Sequence, residues 1–215
     1  MHRLRVRFCR RSELKFISHL DIMRLWSRAF QRADIALAYS KGFNPQPRLS
    51  LAAPLAIGVT SEAELMDVFL SQWVSPHFLA TAVNQQLPAG IEIVQVYLVA
   101  LTQPSLQSLV RQTEYRVELA SEKSDRELQS ALDSLLSLEH LPWQHQRDTG
   151  VRSYDLRALI SDLRLIGLED SVVTIGMRLR CDSSGSGRPE QVAKALGFGQ
   201  RPGSIHRTRL ILKTG

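Results

Sequence analysis

The sequence predicts an α+β chain of two tandem βαββαβ units with largely antiparallel sheets, residues 1–101 and 102–215. Three observations carry that expectation. Period-two alternation marks strands near both ends of each half, three- and four-residue apolar spacing marks two helices in each half, and both halves run through the same order of elements. With 215 residues, 44% of them hydrophobic and 22% charged, the chain can bury one sizeable core or two small ones.

In the first half, residues 4–9 alternate Leu4, Val6 and Phe8 with charged neighbours and read as a strand. A helix is expected over 19–33. Ser18 is placed to cap it, Asp21 puts a carboxylate near its positive end, and Ile17 can staple onto Ile22. Leu20, Met23, Trp26, Ala29, Phe30 and Ala33 form its packing face, with Arg24, Arg28, Gln31 and Arg32 opposite. Residues 35–40, 48–52 and 64–70 read as strand, 76–86 as helix and 91–99 as strand. After a junction at 102–108, the second half repeats the order with strand 114–120, helix 125–138, strands 163–168 and 172–180, helix 189–196 and strand 205–213. Residues 140–160 fit that repeat poorly and read as an inserted hairpin built from Trp143-Gln144-His145-Gln146-Arg147 and Val151-Arg152-Ser153-Tyr154. The βαββαβ order is that of a ferredoxin-like unit.

The chain carries 27 Lys+Arg against 21 Asp+Glu, a formal net charge of +6, which favours a polyanionic partner. Pleating of the first strand places Arg3, Arg5 and Arg7 on one sheet face, either a solvated edge or a surface for phosphates. Arg207 and Arg201 add positive charge near the other end. Readers of single-stranded RNA set exposed aromatics beside such charges so that bases can stack. Tyr39, Phe43, Trp73, Trp143, Tyr154 and Phe198 are the candidates, while the apolar helical neighbours of Trp26 assign it to the core.

The stretch Tyr39-Ser40-Lys41-Gly42-Phe43-Asn44-Pro45-Gln46-Pro47 is the most specific local signal. Gly42 can take positive φ, while Pro45 and Pro47 stiffen the chain, so a polar loop holds its side chains at fixed positions. Phe43 is the stacking candidate, and Tyr39, Ser40, Lys41 and Asn44 offer hydrogen bonds or charge. His19 opens the helix, where an imidazole can hydrogen-bond or do acid–base work, but no nucleophile or second base lies within local reach. Cys9 and Cys181, far apart in sequence, match neither a disulfide framework nor a zinc site. No apolar run approaches the roughly 20 residues that span a bilayer, and Met1-His2-Arg3 leads straight into a strand. No membrane contact and a cytoplasmic location are therefore expected.

The strings F-I-S-H-L-D with M-R-L-W, A-Y-S-K-G-F-N-P-Q-P-R-L-S-L-A-x-P-L-x-x-G and S-E-A-E-L-M-D together resemble the radical-SAM-associated family, an uncharacterised domain-of-unknown-function family. Its members occur alone or at the C-terminus of cobalamin-binding radical SAM proteins. The resemblance spans essentially the whole chain, is strongest over residues 4–70 and carries Ser18, His19, Asp21, Gly42, Pro45 and Pro47 as motif positions. Neighbouring ribonuclease and ribosomal-protein genes in that family imply a context of RNA maturation or modification. This chain lacks the cysteine triplet of a radical SAM cluster. The resemblance therefore places the iron–sulfur cluster, S-adenosylmethionine and cobalamin on a partner, a radical SAM protein.

The expected function is a non-catalytic RNA-binding or substrate-presenting accessory, with Arg3, Arg5, Arg7, Arg24, Arg28, Arg201 and Arg207 meeting phosphates of tRNA or rRNA. A protein-only adaptor is a second class. A third is a metal-independent endoribonuclease using His19. The loop Gly197-Phe198-Gly199-Gln200-Arg201-Pro202-Gly203 is similar in placement to the glycine-rich loop of CRISPR repeat-processing endoribonucleases, which also combine two ferredoxin-like units.

Overall fold

A computed structural model describes residues 1–147 and 150–213, with only the backbone of Gln146 and Arg147. The chain divides into two compact units, Met1–Val110 and Arg111–Gly215. The expected junction therefore stays with the first unit. Arg3 in the first strand holds that segment by donating to the carbonyls of Gln103 and Pro104.

The first unit runs β1 (His2–Arg10), α1 (His19–Arg32), β2 (Leu49–Leu51), β3 (Thr60–Leu70), α2 (Pro76–Asn84) and β4 (Ile91–Val99), with the single turn α3 (Leu106–Leu109) at its end. β1 lies between β3 and β4, antiparallel to both, and β2 pairs antiparallel with β3. Leu4, Val6 and Phe8 of β1 join Met66, Val68 and Leu70 of β3 and Ile91 and Ile93 of β4 in one core beneath the two helices. Trp26 is fully buried there, edge-on to Phe8 at 4.9 Å and stacked near Phe30 at 5.9 Å. Ile22 is buried, whereas Leu20 stands 66% exposed, because six residues before Trp26 a side chain lies about 120° around the helix from it.

Residues 35–40 do not form the expected strand. Their strand pairing is confined to the isolated bridges Leu37 to Leu70 and Tyr39 to Pro47. α1 ends first in a Schellman turn. Asp34 takes a left-handed φ of 54°, and the amides of Asp34 and Ile35 donate to the carbonyls of Gln31 and Phe30. The chain then leaves extended, with the Ala38 amide on the Phe69 carbonyl at 2.7 Å.

The second unit runs β5 (Val110–Ala120), α4 (Asp125–Ser137), β6 (Pro142–Arg147), β7 (Gly150–Asp155), β8 (Ile160–Glu169), β9 (Val172–Asp182), β10 (Gly185–Ser186), α5 (Pro189–Ala195) and β11 (Ser204–Leu212). β9 lies antiparallel between β5 and β8, and β11 flanks β5. α4 packs against β8 through a helix that opens with a full capping box, Ser124 with Glu127. β6 and β7, between α4 and β8 in the chain, form a separate two-stranded ribbon; residues 148–149 lie outside the described residues. Over residues 182–187 the chain folds β10 back onto the end of β9. Among the described residues no helix is long and apolar enough to cross a membrane.

Candidate nucleic-acid interface

The loop after α1 is closed at its base before it opens at its tip. The Ser40 amide donates to the Gln46 carbonyl at 2.9 Å and the Gln46 amide returns to Ser40 Oγ at 3.0 Å. Below that staple the Arg48 amide donates to the Ala38 carbonyl at 2.8 Å. Between Ser40 and Gln46 the chain turns through Gly42 at φ 135°, where no atom lies within 4 Å of an added Cβ. Conformation, not crowding, thus asks for glycine. Phe43 follows, 111% exposed, flanked by exposed Lys41 and Asn44, with Tyr39 55% exposed at the base. Exposing a phenylalanine so completely forgoes the roughly 1.5–3 kcal/mol its burial would supply.

Arg48, which the sequence argument passed over, completes this group. Its guanidinium lies 4.3 Å above the Phe69 ring, which holds a charge at the loop base. The signal was its place directly after Pro47 in the motif. The geometry therefore gathers two aromatic rings, two cations and several polar groups on one short segment without a carboxylate between Tyr39 and Arg48. That set can stack on bases and hold phosphates.

At the start of α1, Ser18 Oγ accepts from the Asp21 amide at 3.2 Å and donates to Asp21 Oδ2 at 2.7 Å. Arg24 Nη1 donates to Asp21 Oδ1 at 3.2 Å. Hydrogen bonding from Ser18, and then from Arg24, lowers the Asp21 carboxyl below its ordinary range. His19 is exposed at the first helical position, and its imidazole has no hydrogen-bond partner among the described residues. Arg28 is exposed one turn beyond Arg24, on the same solvent side.

The basic first strand requires a correction. Arg3 and Arg5 are only 3% and 4% exposed and do not face solvent. Both are bound to Asp67 of β3, itself 1% exposed: Arg3 Nε reaches Oδ2 at 2.9 Å, and Arg5 Nε reaches Oδ1 at 2.7 Å. Burial acts to lower the Arg5 guanidinium, but the hydrogen bonds and charge of Asp67, helped by Tyr97, raise it above its ordinary value. Arg7, two residues on, stays exposed. Arg207 is likewise 3% exposed, with Nη2 donating to the Tyr115 hydroxyl at 3.2 Å and the guanidinium over that ring at 5.6 Å. Three of the seven arginines expected at phosphates are therefore interior groups.

The glycine-rich loop is corrected as well. The Gly197 amide donates to the Lys194 carbonyl and the Phe198 amide to that of Ala193, with Gly197 at φ 87°, a Schellman end to α5. Those amides are used by the helix and are not offered to a phosphate. Phe198 lies under Lys123 Nζ at 5.5 Å, and Arg201 remains exposed. Among the described residues no three His, Cys, Asp or Glu side chains gather to hold a metal ion.

Fold and site together define a mixed α+β protein with largely antiparallel sheets that presents a pinned aromatic and cationic loop. The chain belongs to the bacterial family described as "Uncharacterized protein conserved in bacteria (DUF2344)", whose model matches residues 3–189. No curated protein matches it. Among solved structures, the archaeal box H/ACA sRNP Nop10-Cbf5 complex is similar at 10% identity and a TM-score of 0.51, covering 97% of this chain and 48% of that one. A Cbf5-Nop10-Gar1 complex follows at 10% identity, 86% and 44% coverage and a TM-score of 0.48. The chain spans about half the length of these two structures, and the likeness to the first, at 10% identity, is one of fold.

Proposed function

We infer that this protein binds RNA as a non-catalytic accessory, presenting a single-stranded segment to a partner enzyme. The observation that carries the reading is the Ser40–Gln46 staple, which fixes a fully exposed Phe43 between Lys41 and Asn44. A ring held away from the core at no conformational choice of its own is ready to stack on a base, and stacking contributes about 1–3 kcal/mol per base. Lys41 and Arg48 take phosphates, with Arg7, Arg24, Arg28 and Arg201 as the remaining exposed cations of the sequence-derived set. Arg3, Arg5 and Arg207 have no part in it.

Two further considerations support this reading. In each unit the strands run fourth, first, third, second in local order, β4-β1-β3-β2 and β11-β5-β9-β8, an order that supports reading each unit as ferredoxin-like. The structure similar in fold at a TM-score of 0.51 is part of a ribonucleoprotein complex. The resemblance of the motifs to the radical-SAM-associated family supplies the partner: a radical SAM protein that carries the iron–sulfur cluster, S-adenosylmethionine and cobalamin, acting in RNA modification or maturation.

The test is binding of the purified chain to cellular RNA over a range of salt, with RNA length checked on the same samples. Affinity that falls steeply with salt, on intact RNA, is the expected result. Shortened RNA whose shortening vanishes in His19→Ala would replace the reading with a nuclease. Absence of binding, together with salt-resistant capture of the radical SAM protein, would replace it with an adaptor.

A further inference from the structure

The ribbon β6–β7 carries a second cluster that the loop reading leaves unused. Antiparallel pairing sets Trp143 opposite Tyr154 and His145 opposite Arg152, so all four project from one face of the ribbon. Directly opposed residues keep their Cβ atoms about 4.5–5.5 Å apart, which makes Arg152 and His145 immediate neighbours. From the start of α5, Arg188 Nη1 donates to His145 Nε2 at 3.4 Å. His145 thus has the Arg188 guanidinium bonded to it and a second arginine, Arg152, directly across the ribbon. Neither Arg152 nor Arg188 has a carboxylate partner among the described residues, and both are exposed.

Elsewhere in the unit, arginines near acids are engaged: Arg178 binds Glu114 and Arg180 binds Asp182. Two arginines held close together and without a carboxylate partner among the described residues repel each other, and a shared anion relieves that repulsion.

The position of the cluster is fixed by its surroundings. The Tyr154 hydroxyl donates to Gln191 Oε1 of α5, whose residue is 8% exposed. At the root of the ribbon Asp155 accepts from His140 Nδ1 at 2.8 Å, from the Leu141 amide at 2.9 Å and from the Arg157 amide at 3.0 Å. Arg157 in turn caps the carbonyl of Leu136 at the end of α4 and that of Ile160. The ribbon is therefore tied down at both ends of its root while its basic rung stays open.

We propose that Arg152, Arg188 and His145 form a phosphate-binding site that holds the backbone of single-stranded RNA on the second unit. The proposal rests on the RNA reading above and adds a contact that reading does not contain. Guanidinium forks on two sides suit the oxygens of one phosphodiester, and the neighbouring Trp143–Tyr154 rung offers the adjacent nucleotide an aromatic surface.

The experiment is fluorescence anisotropy of the full chain with a short labelled single-stranded RNA, over a series of potassium chloride concentrations. Arg152→Ala/Arg188→Ala is compared with Phe43→Ala and with Arg152→Lys/Arg188→Lys, and thermal melting serves as a control of folding. The double alanine variant is expected to weaken binding on the order of tenfold and to reduce the salt slope by about 1.4, at ~0.7 per lost contact. The lysine variant is expected to restore the slope. If the double alanine variant keeps the affinity and slope of the unaltered chain while Phe43→Ala weakens binding, the ribbon site is wrong and the RNA reading stands. If the reverse holds, the ribbon site stands and the loop falls. An unaltered chain without affinity for the RNA overturns both.

Discussion

The first strand and the loop after α1 are both rich in positive charge, and they use it in opposite ways. In β1, Arg3 and Arg5 are folded against a single carboxylate, Asp67, in surroundings that leave each of the three at most 4% exposed. In the loop, Lys41 and Arg48 stand at the surface with exposed aromatics beside them and no acid in the segment. A cation becomes structural when the fold brings a carboxylate to it out of water, and remains available for a ligand when it does not. Charge counted along a sequence cannot separate the two.

The contrast predicts unequal costs. Asp67→Ala should be the most damaging change in the first unit, because it strands two buried guanidiniums; about 3–5 kcal/mol of stability is expected to be lost, read by denaturant unfolding. A loss below about 1 kcal/mol would show that Arg3 and Arg5 reach water and would erase the distinction. Phe43→Ala should leave stability within about 0.5 kcal/mol and instead cost RNA affinity by about 1–3 kcal/mol, measured as a ratio of dissociation constants. If its melting temperature falls while its affinity is kept, the loop is a structural element like β1.

Gly42→Ala sharpens the loop side of the comparison. Its φ of 135° disfavours any side chain, so a cost of about 1–3 kcal/mol, or a rearranged tip with weaker RNA binding, is expected. Calorimetry and binding of the same variant separate the two. Gly197→Ala, at φ 87° in the helix cap, should lose stability without changing affinity.

The smallest effect concerns Asp155, a half-buried counterpart to Asp67. The hydrogen bond from His140, then that from the Leu141 amide, lower its carboxyl from 3.8 to about 2, against a partial burial that raises it. The tie it makes at the ribbon root is therefore complete above about pH 4. It weakens as pH falls through the folded value of about 2. Amide resonances of Leu141 and Arg157 followed on acidification should report that step; a midpoint near 3.8 would show that the root is not held as drawn.

Element placement was largely legible because the signals are local. The cap at Ser18, the alternation of Leu4, Val6 and Phe8, and the periodicity around Trp26 each report through neighbours a few residues away. The inserted ribbon stood out as the stretch that broke the repeat. The segment 35–40 misled because its β-compatible composition gains a ladder only if a neighbouring strand runs alongside, and here β3 meets it at single bridges. Leu20 misled because an apolar residue at the end of a helical stripe is buried only if the sheet extends beneath it. The loop was recognisable from Gly42, Pro45 and Pro47, yet its closure by Ser40 and Gln46 and the contribution of Arg48 depend on backbone geometry that composition does not specify.

By itself the sequence determined the order of strands and helices, the capped start of α1 and the existence of a stiff, polar, aromatic loop, since all of these follow from backbone preferences and periodicity over short spans. Tertiary structure alone decided which arginines face water. Arg3 and Arg5 meet Asp67 across more than sixty intervening residues, and a charge pair of that separation is set by how the strands align, not by anything either partner's neighbours encode.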